Sequence, residues 1–156
     1  MKKFLALVVM LCAVMISSTA VAATNWVWIY SDEYLTVWVD NNSIRRDYNY
    51  QGYVFRAFTK FVYSAAGRNR VIENERSSGR FVSRGMYNLS HSIDLFYFKA
   101  GDSMNYFDVI NAVGYTHDGN IIPDMGVSKD SIYWTIIQPD TVGEEIFNKV
   151  RARIPN

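Results

Sequence analysis

Few residues in this chain have side chains suited to chemistry. The only histidines are His91 and His117, and the only cysteine is Cys12. His117 is followed by Asp118 and Gly119. An imidazole beside a carboxylate is one form of acid–base or metal site. A tight turn accounts for the same residues, because Asp-Gly is a strong hairpin signal. His91 lies between Ser90 and Ser92, with Asp94 close by. A serine–histidine–aspartate triad can be drawn there on paper. In a strand, however, residues 90, 92 and 94 share one face and residue 91 takes the other. Asp102 with Asp108, or Glu144 with Glu145, are the candidate carboxylate pairs. Such pairs need a set separation across a scissile bond, and neighbours in a turn or a first helical turn do not supply it. No phosphate-binding glycine loop, zinc-protease helix or nucleophile elbow occurs. The chain therefore reads as non-enzymatic, with no cofactor and no metal.

Binding chemistry is better represented. Arg68, Arg70, Arg76, Arg80 and Arg84 crowd one polar segment. Their planar forks suit carboxylate, sulfate and phosphate, and the bland alternative is a solvated loop with no partner. Trp26, Trp28, Trp38 and Trp134 could line a ligand groove. In a small sheet domain such residues more often form the core. Residues 45–84 carry nine Lys and Arg against three acids. That is a basic region for an anionic partner, or for the acidic C-terminal half of the same chain. Nucleic acid is disfavoured, because the whole chain carries sixteen basic and fifteen acidic residues and carries an export signal.

The export reading comes from residues 1–23. Lys2 and Lys3 precede an apolar run from Phe4 to Ile16, and an Ala20-Val21-Ala22 site follows. That order is a cleavable secretory signal. The run is shorter than the ~20 residues that span a bilayer, and a membrane-anchoring helix is the alternative. Cleavage leaves about 133 residues as one domain, 24–156. No transmembrane segment is expected after cleavage, and the location is periplasmic or extracellular, at the cell surface. Cys12 leaves with the signal, so the mature chain has neither disulfide nor thiolate. Leu11 before Cys12 does not suit lipid attachment.

The elements that must position these residues are mostly strands, since Tyr, Trp, Phe, Val and Ile suit a pleated surface. Trp26–Tyr30 and Leu35–Val39 read as a hairpin around the polar turn Ser31–Tyr34. Asp40–Ser43 is turn chemistry, with one helical turn over Ser43–Arg46. Tyr53–Tyr63 reads as the longest strand. It points Tyr53, Phe55, Ala57, Phe61 and Tyr63, with Thr59 among them, at a core and Val54, Arg56, Phe58, Lys60 and Val62 at a mixed, solvated face. Ser64–Arg84 reads as a long mobile connection holding at most a short helix. Tyr87–Phe98, Met104–Tyr115 and Asn120–Pro123 read as further strands, the last stopped or put at an edge by Pro123. Ser131–Ile137 reads as the final strand. Thr141-Val-Gly-Glu144 is a capping box, and Val142, Ile146, Phe147 and Val150 make one helical stripe. The fold class is α+β: an antiparallel sheet of about six strands with one C-terminal amphipathic helix packed on it.

Trp28 to Tyr30, Val37-Trp-Val-Asp40 and Ser43-Ile44 open a pattern that Trp134-Thr-Ile-Ile137-Gln-Pro139-Asp-Thr141-Val-Gly-Glu144 closes. With the aromatic strand, glycine turn and isoleucine return of Tyr115–Ile122, it resembles the surface-adhesin protein E family of Gram-negative bacteria. The resemblance runs from Trp26 to Val150 and is weakest in the arginine-rich stretch. It implies a small antiparallel sheet with a C-terminal helix and an exported, adhesin-like role. The partner is then a protein or glycoprotein, such as those of host extracellular matrix and serum, and a homodimer is compatible with it. The family often ties its last helix to the sheet with a cysteine. Here Arg151 follows Val150 and no mature cysteine exists, so the helix docks on its apolar stripe alone. A periplasmic envelope protein that binds another bacterial protein, or a small-ligand carrier with an aromatic pocket, are the other readings.

Overall fold

The computed structural model describes residues 24–50 and 52–155, so the stretch 1–23 that reads as an export signal lies outside the described residues. Period-two alternation folds the N-terminal half into strands: β1 (Trp26–Ser31), β2 (Leu35–Asp40), β3 (Arg45–Asp47) and β4 (Tyr53–Tyr63). Helix α1 (Ala65–Ser77) follows, then β5 (Leu89–Ala100), β6 (Asn105–Thr116), β7 (Ile121–Ser128), the short β8 (Thr135–Ile136) and helix α2 (Val142–Arg151). The sheet runs β1-β2-β4-β5-β6-β7, with β3 also on β4 and β8 also on β6. Every pairing is antiparallel. The α+β class holds. The six strands of that path match the expected number, and the short β3 and β8 bring the sheet to eight.

β2 and β3 share one edge of β4, and the Asp40–Ile44 motif makes the splice between them. β2 pairs with β4 as far as Thr59, and β3 resumes at Arg56. Phe58 would be left without a partner for its N–H, and the Ser43 hydroxyl accepts it at 2.8 Å. The Asp40 carboxylate accepts from the N–H groups of Asn25 and Asn42 at 2.9 and 3.0 Å. Ile44 then drops into the core, fully buried. The helical turn expected over 43–46 is instead a 3-10 turn over Asn41–Ser43 followed by strand.

One face of the sheet is covered. At one end α2 lays Ile146, Phe147 and Val150 on Val37, Val39, Phe55 and Phe98. Phe147 meets the rings of Phe55 and Phe98 at 5.4 and 6.0 Å. At the other end α1 lays Ile72 on Met86, Leu89 and Ile122. The face that strand β4 presents through Phe55, Ala57 and Thr59 is buried, as the alternation predicted.

Three expectations are corrected. Ser64–Arg84 is not an open connection: residues 65–77 form a helix. Ser64 caps it by accepting from Gly67 N–H at 3.0 Å. Arg80 N–H to Glu75 C=O and Gly79 N–H to Arg76 C=O close its end. This is the Schellman arrangement, with Gly79 at φ +70°. The strand at Pro123 does lie at the sheet edge, one of the two alternatives, and only its end is corrected: β7 runs on to Ser128, which an edge strand tolerates because the N–H that proline lacks is not needed there. Between Ile122 opposite Gly114 and Val127 opposite Ala112 its register shifts. The final strand shrinks to Thr135–Ile136, because residues before it bind a side chain instead of a neighbouring strand: Tyr133 N–H donates to Asp108 at 2.8 Å. No described helix is long and apolar enough to cross a membrane.

Candidate binding face

Strand register decides where each side chain points. Trp28 opposes Trp38, and Trp38 opposes Lys60. Lys60 opposes Ile93, Arg56 opposes Tyr97, and Val54 opposes Lys99. All of these lie on the face opposite the two helices, with Trp26 opposite Asp40 joining them. Trp134 flanks β8 on the same side, with the Lys99 ammonium 6.0 Å from its ring. The expectation that the tryptophans form the core is therefore corrected, since none belongs to either core cluster. Sheet parity overrides composition here: Val37 and Val39 fill the core, so Trp38 between them faces out. Trp28 is 51% exposed and Phe58 41%.

This open face carries Arg45, Arg56, Lys60 and Lys99, and among the described residues none of the four has a carboxylate within ion-pair distance. Lys60 sits 6.0 Å from the Trp26 ring. Arg56 lies 5.9 Å from the Tyr97 ring centre and donates to its hydroxyl at 3.2 Å. Cations parked on aromatic faces are held without being neutralised. The carboxylates of the same face are already engaged. Asp40 caps the Asn41–Ser43 turn, Asp47 accepts from Asn49 N–H, and Asp108 holds the Lys129 ammonium at 2.7 Å. Burial alone would raise the Asp108 carboxyl. Lys129 and the N–H groups of Tyr133 and Val109 outweigh it and hold it below its ordinary range.

The five arginines do not converge. Arg68, Arg70 and Arg76 lie on α1, while Arg80 and Arg84 follow it. Arg68 reaches Leu89 C=O and the His117 ring, both at 3.3 Å. Arg70 lies 4.7 Å over Tyr34, Arg76 donates to the Tyr87 hydroxyl at 2.8 Å, and Arg80 pairs with Glu75 at 2.7 Å. Arg84 is exposed.

The histidines are likewise engaged in contacts within the chain. His91 stacks on Tyr115 on the open face at 4.9 Å, while Asp94 occupies the covered face opposite Ala112, so no triad forms. Burial, then Lys60 and His117, lowers the His91 pKa. His117 closes the β6–β7 turn, with Asp118 accepting from Asn88 at 3.1 Å.

The closing motif ties sheet to helix. Ile137 is buried in the core and donates its N–H to Asn105 C=O at 2.8 Å. Pro139 precedes Asp140, which has φ 57°. The Thr141 hydroxyl accepts from Glu144 N–H at 3.4 Å, and the Glu144 carboxylate accepts from Asp140 N–H at 2.9 Å. The capping box thus reaches one residue further back than its usual form.

Two features escaped sequence reading. A groove of about 310 Å³ is lined by Tyr34, Leu35, Tyr63 and Val71, with Arg70 on α1 and Val142 at the start of α2. Beside Tyr63, the Tyr63 hydroxyl meets Ser92 Oγ at 3.2 Å. Next along the strands, Thr59 opposes Asp94. Among the described residues, the Thr59 hydroxyl and one Asp94 oxygen are buried without a hydrogen-bond partner, and burial raises the Asp94 pKa to about 6 against a weaker lowering by Ser92. Asp94 shares its parity with the apolar Phe96 and Phe98, the one sequence signal of a carboxylate on a core face.

No protein-family model, curated protein or solved structure matches the chain.

Proposed function

We propose that the chain is an exported, non-enzymatic binding domain that docks a protein or glycoprotein through the open face of its sheet. One observation carries this reading: all four tryptophans and four unpaired cations share the face that neither helix covers. Trp28 and Phe58 are exposed on this face, and Trp and Arg are among the residues that dominate binding energy. The arginines of residues 68–84 are the weaker alternative, because they reach different neighbours and two of them, Arg76 and Arg80, are ion-paired with Glu73 and Glu75. The motifs shared with the surface-adhesin protein E pattern serve the fold. They splice β2 to β3 and cap α2, and they agree with an adhesin-like scaffold that presents a sheet. The export signal agrees with a partner outside the cytoplasm, at the cell surface or in the periplasm.

The test is binding of the exported protein to matrix glycoproteins across a salt series. Binding that weakens with salt and with Trp28→Ala and Lys60→Ala supports the reading. Absence of binding at every salt concentration sinks it.

A further inference from the structure

Resting on that reading, we infer that what the open face contacts is a linear polysaccharide bearing carboxylate or sulfate groups. Along β4 the residues of this face alternate: Lys60, Phe58, Arg56, then Val54, which is itself fully buried, with the half-buried Lys99 beside it on β5. At ~3.3 Å per residue, cations recur at ~13 Å and again ~7 Å further on, with the half-exposed Phe58 ring between them. Trp28 and Trp38 extend the row across β1 and β2, one strand spacing apart. An anionic polysaccharide offers the matching alternation of flat sugar faces and fixed negative groups. Aromatic rings take the former, and Lys and Arg take the latter without first breaking an ion pair.

Charge complementarity selects an anion, because the cations of this face are unpaired and its carboxylates are engaged. Backbone chemistry disfavours an acidic peptide. Extended peptides gain affinity by main-chain hydrogen bonding at a sheet edge, and on a face those groups are spent in the ladder. Shape disfavours a membrane. Interfacial binding buries a projecting apolar surface, whereas Trp26, Trp38 and Trp134 lie half-buried among their neighbours.

The experiment titrates the exported protein with heparin, following tryptophan fluorescence and heat across a salt series. The comparison probes are chemically desulfated heparin, polygalacturonate, poly-L-glutamate and vesicles of mixed phosphatidylglycerol and phosphatidylcholine. Heparin and polygalacturonate should bind, and desulfated heparin should bind at least about tenfold more weakly. Arg56→Ala with Lys60→Ala should abolish most of the affinity and flatten its salt dependence. Trp28→Ala should weaken binding with the salt dependence kept, because it removes a ring and no charge. Equal binding of poly-L-glutamate, or vesicle binding without heparin binding, overturns the inference in favour of a peptide or a membrane. A matrix glycoprotein that binds this face equally well after its glycans are removed also overturns it, while leaving the binding-domain reading intact. If no partner responds to the face variants, both fall.

Discussion

At Asp94 a carboxyl group is held on the core side of the sheet with one oxygen unpartnered, and that has a measurable sign. Burial raises its pKa from the ordinary 3.8 to about 6. Between those values the folded protein keeps a proton that the unfolded chain releases. This contribution is therefore full below pH ~4 and is lost as pH rises through ~6. Asp94→Asn removes the charge at every pH. It should stabilise the fold at pH 7 by up to about 3 kcal/mol and give no such gain at pH 4, as read by chemical denaturation at the two pH values. Equal effects at both would show that the residue is not an ionised, buried carboxylate. Gly67 makes a second residue-scale prediction. A Cβ there would lie 1.9 Å from Tyr34 C=O, a backbone atom. Gly67→Ala should cost about 1–3 kcal/mol by overpacking, although alanine is the better helix former. A gain in melting temperature would contradict this close approach.

The two helices show how far an element could be read in the sequence. α2 was legible, since Val142, Ile146, Phe147 and Val150 recur at helical spacing and Thr141 caps the first turn. α1 was not, because the residue it sinks deepest is Ile72, with Val71 beside it, and it is otherwise rich in Arg, Asn and Glu. A stripe that narrow leaves no periodic signal, and its Ser64 cap and Gly79 stop look like loop chemistry. Strand parity was legible along β4, where Arg56 and Phe58 of the set read as solvated are exposed and Lys60 and Val62 are half-buried, whereas Val54 of the same set is fully buried. The splice at Ser43 and the shortening of β8 depend on contacts from distant residues that no local pattern encodes. With no disulfide, α2 is held by packing, and Phe147 is its central side chain. Phe147→Ala should cost about 3–5 kcal/mol, measured by urea unfolding of the protein. A cost under ~1 kcal/mol would show that the helix does not depend on this contact.

For the whole molecule, the sheet divides its labour between faces. Both helices cover one side, so the chain has a core without a disulfide, and the other side keeps its tryptophans and unpaired cations in reach of solvent. The central claim is that this face binds, and a direct comparison of two variants tests it. One replaces Trp28 and Lys60 by alanine on the open face. The other replaces Arg68, Arg70, Arg76, Arg80 and Arg84 by alanine. Each is titrated at low salt against a glycoprotein that the parent protein binds, with unfolding curves to confirm that it is folded. The face variant should lose about tenfold or more in affinity, and the arginine variant should keep near-parental affinity. Parental affinity in a folded face variant would contradict the central claim.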